Sequence, residues 1–238
     1  MSINSEKQQL VSGYARAALF CAVFSFVCVL LSFVTPFWLQ SWPRVHTPMD
    51  RLGLWEFCLD GLVHRLDPEM RSYFGCWWSF APEFYPIRNY LMPPWFRFVQ
   101  FCITFGLMLH IGALILCVIY VVRCVNNPER RALLSQVLAY AMLFIGTLLG
   151  VGIIVFGSKC LDPYWLPNPE LNWPSWSFGL AVLSVIFCFF TACFMVPQVK
   201  LDRELMIQRE YAFPMSAGKS TDELMMPTPP GRSLSSVI

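Results

Sequence analysis

Apolar and polar positions divide this chain into long uniform blocks separated by mixed segments. Four blocks, roughly residues 14–34, 98–122, 133–156 and 176–196, are almost continuously apolar. A hydrocarbon layer about 30 Å thick is crossed by roughly 20 helical residues, so each block predicts a membrane-spanning helix. The first is about 21 residues long, longer than the apolar core of a secretory leader, and no small-residue cleavage site interrupts it, so it too is read as a span. The predicted order is a cytoplasmic N-terminus 1–13, spans 14–34, 98–122, 133–156 and 176–197, loops 35–97, 123–132 and 157–175, and a largely disordered cytoplasmic tail 198–238, in which "KLDRELMIQREY" can extend the last helix as a charged stalk.

Inside the long loop the period changes to two. Trp55, Phe57 and Leu59 alternate with Glu56, Cys58 and Asp60, and Phe74, Cys76, Trp78 and Phe80 share one face of a second segment. A polar turn around "RLDPEMRS" joins them, which predicts a hairpin with inward-facing cysteines. The proline-containing stretches "SWPRVHTPM" and "APEFYPIRNYLMPP" limit regular structure on either side.

Composition agrees with the spans. The 238 residues are 56% hydrophobic and only 13% charged, against about 25% charged in a soluble domain, which predicts an integral membrane protein. Basic residues set the orientation, because Lys and Arg are retained on the cytoplasmic side. Lys7, Arg16, Arg123, Arg130, Arg131, Lys200, Arg203 and Arg209 share one side, against Arg44, Arg88, Arg97 and Lys159 on the other, which places both termini in the cytosol. The net charge is +2, and the long loop balances six arginines against six carboxylates, so no nucleic-acid partner is expected.

With that orientation the cysteines separate. Cys21, Cys28, Cys102, Cys117, Cys188 and Cys193 lie in the spans as small packing residues. Cys124 sits at the cytoplasmic end of the second span, where it is a candidate for palmitoylation. Cys58, Cys76 and Cys160 reach the oxidising side. A Cys58–Cys76 disulfide closes a loop of about 19 residues and contributes roughly 3 kcal/mol in the chain-entropy model. Cys160 is left as a free thiol, a buried interfacial one, or a rival for the pairing.

The residues then carry a resemblance. "TPFW" after the first span, "GLWEFC", a second cysteine and the arginine of "PPWFRF" resemble the W…GLW…C…C…R signature of the claudin and PMP22 superfamily, matched here by Trp38, Gly53, Leu54, Trp55, Cys58, Cys76 and Arg97. The resemblance implies an all-α membrane protein: a left-handed bundle of four transmembrane helices capped by a small extracellular β-sheet. It also implies that Trp55 seats the sheet on the membrane surface and that Arg97 closes polar contacts at the base of the loop. Cys58 and Cys76 have 17 residues between them, a longer interval than in vertebrate tight-junction members, and Trp38 precedes Gly53 by a shorter one. These departures resemble a divergent branch, such as the invertebrate claudin-like proteins of septate junctions. Glu56, Asp60, Arg65, Asp67, Glu69 and Arg71 are mixed in sign and imply neither cation nor anion selectivity.

Several function classes are disfavoured. The span interiors lack Asp, Glu, Lys and Arg, and their one imidazole, His110, is read as a hydrogen-bonded packing residue, so a transporter is not expected. His46, His64 and His110 lack metal-ligand spacing, and no nucleophile elbow or phosphate loop is present, so neither an enzyme nor a cofactor or metal site is expected. Gly146 and Gly150 form a GxxxG site for close helix approach, within the bundle or between subunits. The chain ends in Ser236, Val237 and Ile238, the pattern of a PDZ-binding carboxyl terminus. The resemblance implies a structural component of epithelial cell–cell junctions, partnered by other claudin-like proteins, a PDZ scaffold and the lipid bilayer. The alternative it implies is an auxiliary subunit of a channel or receptor, like the calcium-channel gamma proteins.

Overall fold

The fold follows from where this chain puts its few polar side chains. A computed structural model describes residues 2–223 apart from Arg44, Asn126 and Pro167, with side chains described over 13–208. Four long helices dominate: α1 (Ser2–Val34), α3 (Pro94–Val121), α4 (Pro128–Lys159) and α5 (Trp176–Glu223), with a short helix α2 (Arg88–Leu91) before α3. Each of the four carries a stretch long and apolar enough to cross a membrane. They form a ring in which α1 packs on α3 and α5, and α4 packs on the same two.

The faces of these helices are apolar outward and mixed inward. Phe101, Phe105 and Met108 of α3 are exposed, while Gln100, Cys102 and His110 on the same helix are buried. Helices apolar on their outer faces belong in lipid, where small polar residues serve at helix contacts. Ser25 of α1 shows this: its hydroxyl donates to the Ser184 carbonyl at 2.8 Å and lies 3.1 Å from the Ser184 hydroxyl. His110 Nε2 lies 3.2 Å from the Ala22 carbonyl, joining α3 to α1.

Small residues let the helices approach. A Cβ on Gly146 would lie 3.2 Å from the Cys188 Cβ, and one on Gly150 3.7 Å from Val185, so both glycines face α5 inside the bundle. A Cβ on Gly106 would lie 2.6 Å from Leu149, which brings α3 equally close to α4.

At one end of the ring sits a five-stranded antiparallel sheet of order β4-β3-β2-β1-β5. Its strands are β1 (Leu39–Ser41), β2 (Met49–Leu52), β3 (Glu56–Leu62), β4 (Tyr73–Trp78) and β5 (Asn172–Pro174). Four come from the first loop and one from the second. The predicted hairpin is β3 and β4, with Cys58 opposite Cys76. Gly61, at φ +79, occupies a register shift between Asp60 and Leu62, where a side chain would be strained.

One expectation is corrected. The cysteines do not face inward: they share the outer face with Glu56 and Asp60, while Phe57, Leu59 and Leu62 join the core. Alternation forces one face outward, and the more apolar face of β3 goes to the bundle. Helix α5 runs past Pro197 to Glu223, and Asp202 anchors the extension. The Asp202 carboxylate is buried, accepts the Tyr120 hydroxyl at 2.7 Å and pairs with Arg131 Nε at 3.3 Å, tying α5 to α3 and α4.

Candidate functional site

The sheet and its seat on the bundle bring most of the sequence-predicted residues together. Trp38 lies at the centre and is fully buried. Its indole Nε1 donates to the Ser32 carbonyl at 2.7 Å, its amide donates to the Leu52 carbonyl at 2.8 Å, and its carbonyl accepts from the Ser175 amide at 3.1 Å. The ring meets Phe156 edge-on at 4.9 Å and Phe178 at 5.7 Å. One residue thereby joins the end of α1, strand β2, the link from β5 to α5, and two further helices. Its special position could not be read from spacing alone.

The Gly-Leu-Trp turn joins β2 to β3 beside that tryptophan. A Cβ on Gly53 would fall 2.6 Å from the Pro36 Cα and 3.0 Å from the Thr35 oxygen, both backbone atoms that cannot swing aside. Gly53 therefore admits the sheet to the end of α1. Leu54 is buried, and its carbonyl accepts from Gln100 Nε2 at 2.6 Å. Gln100 was missed by the sequence reading, which treated its block as uniformly apolar. Its signal is a single amide in the first turns of a span, where a buried polar group needs a partner. Trp55 is half-buried between Phe33, at 5.6 Å, and Phe80, at 6.0 Å. Its indole N–H has no hydrogen-bond acceptor among the described residues. Arg97 is exposed, donating to the Met92 carbonyl at 2.9 Å and to Asn89 at 3.1 Å across the joint between α2 and α3.

Cys58 and Cys76 are joined by a disulfide across the middle of the hairpin. The segment between β3 and β4 is organised by Asp67, whose carboxylate accepts from the amides of Glu69 at 3.1 Å and Arg71 at 3.3 Å and from the Tyr73 hydroxyl at 3.0 Å. Burial works to raise the Asp67 pKa, but these donors and the Arg71 guanidinium outweigh it and hold the carboxyl below its ordinary value. The same burial and the Asp67 carboxylate push the Tyr73 phenol up. The 17-residue interval is thus a built turn.

The outer face of the sheet carries a groove of about 450 Å³ lined by Gln40, Asp50, Asp60 and Cys76 among others. Asp50 pairs with Arg51 at 3.1 Å, and the Arg51 guanidinium lies over Phe37 at 5.1 Å. Large apolar side chains flank this polar face. Phe74 and Trp78 on β4 are each 60% exposed, and Trp42 and Trp173, 5.8 Å apart, are exposed at the opposite edge. Both β4 and β5 are edge strands.

Little here suggests chemistry. Glu56, Cys58 and Cys76 lie close enough to hold a cation, but the two sulfurs are bonded to each other and are not thiolates. His46 pairs with Asp60 at 3.4 Å, His64 stacks on Tyr90 at 4.0 Å, and His110 is buried in the bundle, so the three imidazoles stand apart. Cys160 is a free, buried thiol, Cys124 is exposed just beyond α3, and Ser236, Val237 and Ile238 lie outside the described residues.

A protein-family model described as PMP-22/EMP/MP20/Claudin tight junction matches residues 23–196, from within α1 to the apolar end of α5. The chain belongs to the claudin and PMP-22 superfamily. No curated protein matches it. For a claudin-superfamily member the geometry is coherent: a multi-pass membrane protein whose sheet is welded to one end of four helices by Trp38, Gly53 and Gln100 and stapled by Cys58 and Cys76.

Proposed function

We propose that this claudin-superfamily protein is a structural component of epithelial cell–cell junctions, of the septate or tight type, and contributes to the paracellular barrier. The observation that carries the reading is the outer sheet. It is a rigid, disulfide-stapled platform whose two edge strands present Phe74, Trp78 and Trp173 unburied. Exposed edge strands and apolar side chains are sites of association. Among the described residues the apolar spans beneath hold no chain of charged groups that would conduct a substrate.

In this reading the sheet is extracellular, both termini are cytosolic, and copies of this chain and other claudin-like proteins associate side by side in the membrane and across the intercellular gap. The orientation rests on the excess of Lys and Arg on the chain-terminal side. The terminal Ser236-Val237-Ile238 binds a PDZ scaffold by strand addition, and Cys124, exposed at the cytosolic boundary, accepts a palmitoyl chain. The bond across Cys58 and Cys76 suits the oxidising side.

The test is the distribution and effect of an endogenously tagged copy in a polarised epithelium. Enrichment in a lateral belt, with dye leakage between cells when the protein is removed, is expected. Even spread over the membrane with dye exclusion intact contradicts the junction reading and favours an auxiliary subunit of a channel or receptor.

A further inference from the structure

At the end of the bundle opposite the sheet, α4 and α5 part to leave a groove of about 320 Å³. Its floor includes Ala139 and Ala192, its walls Tyr140 and Val196, and its rim Lys200 and Arg203. Tyr140 is 68% exposed and Val196 49% exposed, so the walls face the medium around the helices, which for a multi-pass protein is lipid.

The depth of the rim follows from the length of the helix. The apolar part of α5 runs about 21 residues from Trp176, roughly 32 Å at 1.5 Å per residue, which spans the hydrocarbon layer. Lys200 and Arg203 follow within about two turns, at the level of the lipid headgroups. Their charge is available there. Lys200 pairs with no carboxylate among the described residues. Arg203 is held by Gln136, whose amide oxygen, assigned toward α5 because its neighbours are donors, accepts at 2.9 and 3.3 Å. Of the nearby carboxylates, Asp202 is turned inward to Tyr120 and Arg131, and Glu204 is exposed and pairs with neither cation.

An apolar cleft in the lipid-facing surface thus ends at two available cations. The geometry points to a binding site for an anionic phospholipid, with an acyl chain along Tyr140 and Val196 and the headgroup phosphate at Lys200 and Arg203. Basic pockets between membrane helices bind acidic headgroups in this way. A zwitterionic lipid leaves the cations without net countercharge. The inference rests on the membrane reading of the helices and is independent of which side of the cell the chain ends face.

The test is native mass spectrometry of the full chain in detergent, titrated with dioleoyl phosphatidylserine or dioleoyl phosphatidylcholine. One saturable phosphatidylserine is expected to bind about tenfold more tightly than phosphatidylcholine. Replacing Lys200→Gln and Arg203→Gln together is expected to bring the two lipids within about twofold of each other, and Tyr140→Ala, which removes an exposed wall, to weaken phosphatidylserine about fivefold. Arg130→Gln, which removes an exposed cation at the same end but outside the groove, is expected to change neither. Equal affinity for the two lipids, binding that never saturates, or indifference to the Lys200 and Arg203 changes overturns the site. Equal loss on Arg130→Gln, or displacement by excess inorganic phosphate, does so as well. Thermal unfolding of each variant, expected at the wild-type temperature, separates lost binding from lost structure.

Discussion

The two ends of the helical ring are closed by different means. At the sheet end the closure is apolar and covalent: Trp38 is fully buried under the strands, and Cys58 is bonded to Cys76 above it. At the opposite end it is polar: the Asp202 carboxylate gathers Tyr120 and Arg131, and the Arg131 guanidinium lies over the Tyr120 ring at 4.4 Å. An apolar seat has many partners and holds a surface still, whereas a charged cluster joins α3, α4 and α5 through one carboxylate. The difference leaves a face buttressed at many points at one end and a single-carboxylate anchor for α5 at the other.

Removing the centre of the apolar end is expected to have the largest effect. Trp38→Ala deletes a fully buried indole and should cost about 3–5 kcal/mol. Hydrogen exchange in detergent should show protection lost in β1, β2 and β5 while the Asp202 end keeps its own. Equal loss at both ends would break the comparison. Asp202→Ala is the counterpart, and should cost about 2–3 kcal/mol because it strands a buried hydroxyl and a partly exposed guanidinium. Limited proteolysis should then open the α3–α4 connection first and leave the sheet uncut.

Gly53→Ala should cost about 1–3 kcal/mol, because the added methyl meets the backbone of Thr35 and Pro36. A thermal melt unchanged by this substitution would mean that the sheet moves freely against α1. The smallest effect is that of acid on the turn between β3 and β4. The folded-state pKa of Asp67 is depressed, so its contribution is present above the ordinary carboxylate value of about 4 and is lost as pH falls through the lower folded value. Exchange protection of the Glu69 and Arg71 amides should therefore fall in that acidic window, and Asp67→Asn should abolish the step.

The features legible in the sequence were those written in composition or in a regular period. Four apolar blocks mark four helices because lipid demands uninterrupted apolar length. The β3–β4 hairpin shows because Trp55 to Asp60 alternates over enough residues to count. Strands β1, β2 and β5 are only three or four residues long and are held by their neighbours, so no period could announce them. The charged composition after residue 198 allows a helical stalk but does not show what holds it: Asp202 keeps α5 engaged by reaching partners 71 and 82 residues away. Trp38 and Trp55 look equivalent as letters. Only their surroundings distinguish the buried, fully bonded indole from the half-buried one whose N–H has no acceptor among the described residues.

The central claim is that the sheet is a surface for association, separable from the seat beneath it. It is tested most directly by replacing the exposed pair on β4, Phe74→Ser with Trp78→Ser, and following both thermal unfolding in detergent and enrichment at cell–cell contacts. Both side chains are 60% exposed, so the melt should move by no more than a degree or two, while enrichment at contacts should be lost. Full enrichment in the doubly substituted protein, with the fold intact, would contradict the account.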